Sequence, residues 1–444
     1  MNVIRGFKTE LDPNDRQRTL LLQHAGCARF AFNWGLQKCI EARENGEKKP
    51  SAIDLHRELN ALKDSEFPWM RESSKCSPQE ALRNLDRAYA NFFRKCKLKK
   101  QGKHRGKVGF PKFKSKKNGV GSFRLTGSIK TSETHVTLPR IGALKLKERK
   151  YIPTEFIRIL SATVSEHAGR WFVSVQMEIE NQDLHRDRDE YYTKDQVHPI
   201  VGVDLGIKML AVCSDGKTFD SPKALKSNLK SLRKANKSLH RKVKGSQNRR
   251  KAAIRLSELH YRIANIRSDS LHQITTVLTR SKSAVVIEDL NVSGMLRNHK
   301  LARSIADVGF GELRRQLEYK GEQYGCLVIV ADRFFPSSKT CSECGWINSE
   351  LKLQDREWVC LDCGCVHDRD HNAAVNLEQW GLDSLVAVSF TETLNACGES
   401  GSGPVATSGE TTLDRESILG EAGIRLEICR TDGEPQPSVD FGRF

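Results

Sequence analysis

The chain has 444 residues, of which 38% are hydrophobic. This is enough for several domains with their own cores and excludes a wholly disordered chain. The first twelve residues, MNVIRGFKTELD, lack the apolar core of a signal peptide, and no apolar run reaches membrane-spanning length. We therefore expect a soluble, cytoplasmic protein without a membrane partner. Four of the 13 cysteines share one short segment and the rest are scattered, which indicates a reducing compartment.

The formal net charge of +18 is unevenly distributed. Residues 391–444 hold four arginines, no lysine and ten acidic residues, a net charge of −6, so residues 1–390 carry +24. A positive field of this size favours a polyanionic partner, above all nucleic acid, and predicts binding that weakens as salt rises. Charge alone leaves open a basic surface that serves only solubility.

The first part of the chain predicts a β-module with a helical insert. A strand is predicted at residues 2–9 and helices from about 15 to 98, the last beginning with a capping box of Ser77, Pro78 and Glu80. The alternation in WFVSVQMEIE, paired with FIRILSATVSE across HAGR, predicts a β-hairpin. We assign the β-module to residues 1–14 and 121–185, and the insert to 15–120.

The second part predicts an α/β sheet with helices on its faces. Residues 181–196 have the composition of a linker, and HPIVGVDLGIKMLAVCSDGKTFD predicts three short strands. A helical hairpin at 222–280 follows, then a strand in AVVIEDL, a helix near 307–325, a strand in CLVIVA and a helix after Asn372. Low hydrophobicity and an acidic composition predict a disordered tail, residues 386–444.

Two carboxylates interrupt or end apolar strands. Asp204 lies within IVGVDLGIK, where an acid loses solvation unless a cation or donors face it. The alternative for Asp204 is a turn aspartate that bonds the Gly206 backbone. Glu288 ends AVVIED in the same way, and its alternative is an ordinary polar strand end. Asp289 would point to the opposite face of that strand.

A third acidic position comes from DRDHNAA, where Asp368 and Asp370 precede the last helix. Either could be only a helix cap. If Asp204, Glu288 and Asp370 converge, they would form a site for two divalent metals about 4 Å apart, the arrangement that cleaves phosphodiesters. Magnesium suits such a site because it prefers carboxylate oxygens and retains exchangeable waters. Asp368 is the weaker alternative to Asp370.

Four cysteines have the spacing of a zinc ribbon. Cys341 and Cys344, then Cys360 and Cys363, form two CxxC pairs separated by fifteen residues, and four such thiolates can surround one Zn²⁺. Four protein ligands leave no open position, so the metal should be structural. Cys365 and His367 are spare donors nearby, and we interpret Cys365 as a bystander.

Two basic stretches contain no acidic residue. Residues 91–117 hold twelve lysines and arginines with phenylalanines 92, 93, 110 and 113 between them, and residues 223–257 hold thirteen more. Cations that neutralise phosphates beside rings that stack on bases are typical of an RNA or RNA–DNA hybrid contact, although some of these rings could be core. The predicted nucleic-acid-binding residues are Lys95, Lys97, Lys99, Lys100, Lys103, Arg105, Lys112, Phe113 and Lys114.

Taken together and in order, GVDLGIK, IEDLNVSGML, RSIADVGFGELRRQLEYK, FFPSSKTCSECG and HDRDHNAAVNL resemble the transposon-encoded TnpB (OrfB) family, relatives of compact type V CRISPR effector nucleases. The resemblance extends to about residue 385. It implies a wedge-like β-barrel with a helical recognition insert, followed by an RNase H-like (RuvC) nuclease domain at 197–338 and 366–385. A zinc ribbon at 339–365 would split that domain. By motif, Asp204, Glu288 and Asp370 match the family's catalytic acids.

The resemblance implies an RNA-guided, Mg²⁺-dependent DNA endonuclease of a transposable element, with a guide RNA and double-stranded target DNA as partners. Such an enzyme cuts next to a short flanking motif, and we expect a monomer or weak oligomer. Composition and spacing alone reach only a basic, metal-dependent nuclease with a zinc ribbon. Two alternatives remain: a transposon DNA-strand transferase and a non-cutting RNA-guided DNA binder.

Overall fold

The computed structural model describes residues 2–104, 106–116, 119–180, 200–352 and 354–396, with side chains described as far as residue 386. The chain divides into two compact units. The first comprises Met1–Gln182 and Ser231–Arg262, and the second Asp183–Lys230 and Ile263–Phe444. The predicted linker at 181–196 and most of the predicted tail lie outside the described residues.

The first unit begins with a strand and continues with helices, as predicted. Its elements are β1 (Asn2–Asp12), α1 (Asp15–Glu44), α2 (Ala52–Leu62), a 3₁₀ turn (Pro68–Glu72), α3 (Cys76–Lys100), β2 (Ser122–Leu125), β3 (Lys130–Thr131), β4 (His135–Leu138), β5 (Gly142–Leu146), β6 (Arg158–His167) and β7 (Arg170–Glu180).

All seven strands form one sheet in the order β2-β6-β7-β1-β5-β4-β3, in which neighbouring strands are antiparallel. The predicted hairpin is confirmed as β6 and β7, and β1 pairs with β7 from Asn2 opposite Glu180 to Leu11 opposite Trp171. Alternate residues of these strands share one core with the apolar faces of α1 and α3. Every second strand residue and the apolar residues at helical spacing in the insert therefore contribute to the same core.

The predicted capping box at Ser77 is wrong. Helix α3 begins at Cys76 without a side-chain cap, and the Ser77 hydroxyl donates to the carbonyl of His24 instead. Glu80 forms an ion pair with Arg83. The Ser77 hydroxyl therefore makes a tertiary contact with α1 instead of a local cap on α3.

The second unit contains the predicted strands and helices. Its elements are β8 (Val201–Leu205), β9 (Met209–Cys213), β10 (Thr218–Asp220), α4 (Ala224–His240), α5 (Gln247–Ser281), β11 (Ala284–Glu288), α6 (Val292–Met295), α7 (Ala302–Val308), α8 (Phe310–Tyr324), β12 (Leu327–Ala331), β13 (Glu357–Val359), β14 (Val366–Asp368) and α9 (Arg369–Ala396). The tip of the α4–α5 hairpin, residues 231–262, belongs to the first unit. Helix α9 continues past residue 385, into the segment predicted to be tail.

A mixed five-stranded sheet organises the second unit, in the order β10-β9-β8-β11-β12. Strands β8, β11 and β12 are parallel, whereas β9 and β10 run antiparallel to their neighbours. On one face, Val203 and Ile287 pack with residues of α5 and α8. On the other face, Val286 packs with Leu377 of α9. The sheet is therefore covered on both sides, which explains the unbroken apolar runs of its parallel strands.

Helix α9 lies unusually close to the sheet. A Cβ atom added to Gly202 of β8 would lie 2.0 Å from the carbonyl oxygen of Ala374, and one added to Gly381 would lie 2.4 Å from Cγ2 of Val286. Glycine is therefore required on both elements for this backbone approach. Among the described helices, none is long and apolar enough to cross a membrane.

Replacing Gly202 with alanine should destabilise the second unit, because the methyl group would overlap the α9 backbone. We expect the free energy of unfolding to fall by about 3 kcal/mol, measured by urea denaturation. Gly311→Ala in α8 is the matched control, since an added Cβ there has no heavy atom within 4 Å. The control should be neutral or slightly stabilising, and equal losses in both variants would contradict the packing argument.

Candidate active site and metal centre

Two parallel strands carry Asp204 and Glu288 to the same edge of the sheet. Strands β8 and β11 pair in register up to Val203 opposite Ile287. Asp204 and Glu288 are therefore the next positions toward the carboxyl ends of these strands. Since side chains alternate, Asp204 shares the α9 face with Gly202, and Glu288 shares it with Val286. The prediction that Asp289 points away is borne out by its ion pairs with Arg314 and Arg333.

Asp370 joins this edge from the first turn of α9. The pKa of Asp204 is raised from its ordinary value of 3.8 to about 8, first by burial and then by the negative charges of Glu288 and Asp370. The guanidinium groups of Arg369 and Arg356 act in the opposite direction. Both carboxylates thus act directly on Asp204. The three predicted acids therefore lie near one edge of the sheet, although among the described residues only the ribbon cysteines have ligand atoms close enough together to hold a metal ion.

Hydrogen bonds in the structure bear on the alternatives for Asp204 and Asp370. The N–H of Gly206 donates to the carbonyl of Leu210, so it is engaged by the β8–β9 turn and not by the Asp204 side chain. The Asp368 carboxylate accepts from the N–H of His371 at 2.9 Å, which makes it the N-terminal cap of α9. These contacts favour Asp204 as a site residue and Asp370 over Asp368.

Sequence reasoning missed two side chains that hold these acids. Nη1 of Arg356 donates to both carboxylate oxygens of Asp370, at 3.0 and 3.1 Å, and the Ser337 hydroxyl donates to Glu288. Arg356 lies in the ribbon and Ser337 in the loop before it, so neither is adjacent in sequence to the acid that it contacts. No local pattern could have indicated either pairing.

The residues at this edge fit a hard divalent cation. Three carboxylates offer the oxygen ligands that Mg²⁺ prefers. The pKa of Asp204 is raised first by burial and second by two neighbouring carboxylates, and the nearby guanidinium groups do not offset both effects. A bound cation would supply the missing positive charge.

The ribbon cysteines form a cluster that could hold a metal ion. The thiol sulfurs of Cys341, Cys344, Cys360 and Cys363 all lie within 4.8 Å of one another. Four thiolates at this separation can hold one metal ion, and the all-sulfur donor set suits zinc. Cys341 and Cys360 are buried with Trp358, and these few residues are the core of the ribbon. Metal ligation is thus the main source of cohesion available to this segment.

The ribbon is attached directly to the start of α9. The side chain of Asn372 accepts from the N–H of Ser342 and donates to the carbonyl of Thr340. One turn later Asn376 donates to the carbonyls of Ser337 and Thr340. Both asparagines are buried, and their spacing within HNAAVN places them on one face of the helix. They brace the segment that leads from the sheet edge into the ribbon.

The predicted nucleic-acid-binding residues of the first unit are accessible. Lys95, Lys97, Lys99, Lys100, Lys103, Lys112, Phe113 and Lys114 are exposed, and Arg105 lies outside the described residues. The backbone of Lys114 pairs with the side chain of Asn33, and its ammonium lies 4.0 Å from the ring centre of Phe32. Lys114 is therefore held against α1, while the lysines at the end of α3 project from the helix.

In the absence of divalent ions, Asp204→Asn should stabilise the protein increasingly as pH rises. Between about pH 4 and 8 the native carboxyl keeps its proton while the unfolded chain loses it, so the wild-type free energy of unfolding falls with pH. We expect the advantage of the variant to grow from pH 5 to 8 by up to about 1.4 kcal/mol per pH unit, measured by denaturation in EDTA.

The matched control is Asp332→Asn, an exposed acid directly after β12, the parallel strand on the far side of β11, which should show no such trend. A difference between Asp204→Asn and wild type that is independent of pH would contradict the buried, repelled carboxyl.

Cys360→Ser should remove bound zinc and unfold the ribbon, because three thiolates bind the ion less tightly and little core remains. We expect close to one zinc per chain in the wild type and a loss of at least tenfold in zinc affinity in the variant, measured by metal analysis and chelator competition. Cys365→Ser is the control within the same segment, since Cys365 is outside the four-thiol cluster. Zinc retained by Cys360→Ser, or lost equally by Cys365→Ser, would refute this ligand set.

Comparisons with known proteins agree with this architecture. A family model described as "Probable transposase" (OrfB, IS605 type) matches residues 174–299, and one described as the Cas12f1-like TNB domain matches 310–377. A third, described as a helix-turn-helix domain, matches residues 1–48. In this structure that last segment is β1 followed by the single helix α1.

Full-length relatives extend the match over nearly the whole chain. A candidate RNA-guided DNA endonuclease of Streptomyces pristinaespiralis is 36% identical over 95% of this chain and 98% of that protein. InsQ of Escherichia coli strain K12, named in the same way, is 32% identical over 85% and 92%.

A solved structure is also similar. The Cas12f1 chain of a complex with sgRNA and target DNA has a TM-score of 0.50 at 13% identity, over 85% of this chain and 99% of that one. That likeness concerns the fold, an α/β architecture with mixed sheets. With the identities to the full-length relatives, the conclusion is that this chain belongs to the transposon-encoded TnpB (OrfB) family.

Proposed function

We propose that this chain is an RNA-guided, Mg²⁺-dependent DNA endonuclease of a transposable element, which cuts target DNA next to a short flanking motif. The observation that carries the proposal is that Asp204 and Glu288 follow paired positions of two parallel strands, with Asp370 near enough for its charge to act on Asp204. Closely similar relatives are named as candidate RNA-guided DNA endonucleases. Carboxylate oxygens suit divalent ions, which in turn bind the phosphates of a nucleic acid.

The RNase H-like (RuvC) nuclease domain would comprise residues 197–338 and 366–385, with the zinc ribbon inserted at 339–365. Most of it lies in the second unit, whereas residues 231–262 of its helical hairpin lie in the first. Support comes from the mixed sheet with acids at the carboxyl ends of β8 and β11. In the first unit, the strands at 1–14 and 121–185 would be the wedge-like barrel, and residues 15–120 the recognition insert. The seven-stranded sheet and the helices packed on it support that division.

Each acid would have a distinct part in holding Mg²⁺. Asp204 is buried, so binding a cation restores the solvation that its charge has lost. Ser337 orients the Glu288 carboxylate by donating to it, and Arg356 orients Asp370 through two hydrogen bonds. Magnesium at this site would supply an activated water and stabilisation of the departing 3′-oxygen. The chain's contribution is a preorganised set of oxygens at the end of a rigid sheet.

The basic surface would hold the nucleic acids. The lysines at the end of α3 and those of α4 and the start of α5 can neutralise phosphates without reading bases. Sequence specificity would then come from pairing between a guide RNA and the target strand. The Cas12f1 relative of known structure was solved with such an RNA and its DNA, and the same division of roles is proposed here.

Asp204→Ala should abolish cleavage while leaving nucleic-acid binding within about twofold of wild type, because the acid faces the catalytic edge and not the basic surface. The protein is purified from cells carrying the gene with its flanking DNA, and the RNA that accompanies it is sequenced. A plasmid library bearing the matching target and randomised flanks is then cut in Mg²⁺. We expect at least a hundredfold loss of cleavage rate, and no cleavage by wild type in EDTA.

Asp332→Asn is again the matched control and should cut at the wild-type rate. Cleavage by Asp204→Ala at the wild-type rate would refute the site. Wild-type protein that binds RNA and target but never cuts in Mg²⁺ would indicate an RNA-guided binder. Strand-joining products formed without any RNA would indicate a strand transferase.

A further inference from the structure

Four aromatic rings form a continuous cluster near the carboxyl end of α3. The rings of Tyr89 and Phe92 each meet Phe110 edge to face, with ring centres 5.4 Å apart. Phe93 lies against both α3 rings, at 6.2 Å from Tyr89 and 5.3 Å from Phe92. Tyr89 is buried in the core of the first unit, and Phe110 packs against that core. The cluster thus extends from the core to the surface.

Phe93 is the outermost ring of this cluster. It is 57% exposed, whereas Tyr89 is stacked behind it at an interplanar angle of 27°. An isolated exposed phenylalanine needs no explanation. A ring fixed by two others differs, because little conformational entropy remains to be lost when a ligand stacks on it. Phe93 is therefore a rigid aromatic platform at the surface.

The same face of α3 carries cations toward its carboxyl end. Lys97 and Lys100 follow Phe93 by four and seven residues and so lie on one side of the helix, about 6 and about 10 Å farther along its axis. Both are exposed, and no ion pair between described residues involves them. Residues 91–117 contain no acid that could neutralise them. The distances correspond to two and three nucleotides stacked about 3.4 Å apart.

The other exposed ring of the basic stretch has a different setting. Phe113 is 51% exposed, but it lies outside any helix, and the ammonium of its neighbour Lys114 already lies over Phe32. In the part of the insert that the structure describes, the face of Phe93, Lys97 and Lys100 combines two features. Its ring is supported by two other rings, and its lysines lie on the same side of the helix.

We propose that this face, the α3 platform, binds a single-stranded stretch of nucleic acid, with one unpaired base stacked on Phe93 and the phosphates that follow it on Lys97 and Lys100. The inference rests on the proposed function and names a contact within it. A base offers the flat π-face that a ring accepts whatever its identity, and the strand offers charges at the spacing of the lysines. Discrimination between bases is not expected at this position.

The test measures binding of the full-length protein, stripped of co-purified RNA, to fluorescent U₁₀ RNA and T₁₀ DNA over a series of salt concentrations. Phe93→Ala should weaken binding by about 5- to 100-fold without changing the salt dependence. Phe93→Trp should bind as well as wild type. Lys97→Gln with Lys100→Gln should lower the slope of log affinity against log salt by about 1.4, two phosphate contacts on a single strand. The oligonucleotide with the greater loss identifies RNA or DNA as the ligand.

Ile53→Ala is the matched control, an exposed apolar side chain on α2 of the same unit, at 72% exposure. It should leave affinity unchanged, and thermal melting should show that every variant is folded. Unchanged affinity of Phe93→Ala for both strands, or equal weakening by Phe93→Ala and Phe93→Trp, would overturn the proposal. Cleavage by the wild-type protein is measured separately, so failure of the platform can be distinguished from failure of the nuclease assignment.

Discussion

The candidate active site depends on the close contact between the backbones of α9 and β8. Gly202 makes this contact possible, since any side chain there would meet the carbonyl oxygen of Ala374. Asp370 lies about one helical turn before Ala374, and Asp204 lies two residues after Gly202 on the same face of the strand. The packing distance between helix and sheet therefore also sets the separation of the acids. A constraint on core packing becomes a constraint on the geometry of the site.

The electrostatic cost of this arrangement is evident at Asp204. Burial and two neighbouring negative charges disfavour its ionised form, and the nearby guanidinium groups offset only part of that effect. The fold holds the acids together through the stability of the sheet and its two covered faces. The ionised form of Asp204 is unfavourable in the folded protein, and a bound cation would stabilise it. Such local destabilisation is common at functional sites. The same reasoning explains why neighbouring Asp289, paired with two arginines, is structural.

The ribbon is adjacent to the last acid because it supports that acid from two sides. Arg356 reaches from the ribbon to Asp370, while Asn372 and Asn376 of α9 hold the chain that enters the ribbon. A metal ion bound by the four thiols would keep this small segment folded, because its own core is only a few residues. A structural metal in the ribbon could thus help to position Asp370, because it would make the segment that carries Arg356 rigid.

Much of this protein follows from the sequence by itself. Strand and helix periods located the elements of both units, and CxxC spacing predicted the thiol cluster. Acids within or at the ends of apolar runs indicated Asp204 and Glu288 as candidate site residues. Each of these signals is a local rule of backbone geometry or solvation. Only the tertiary structure showed that Asp368 caps α9, separated the rings of the basic stretch into core and surface, and supplied Arg356 and Ser337 as partners. The tertiary structure also pairs the Ser77 hydroxyl with the carbonyl of His24, in place of the predicted helix cap. These outcomes depend on which groups meet across space, and for residues far apart in the chain that is set by packing rather than by local preference.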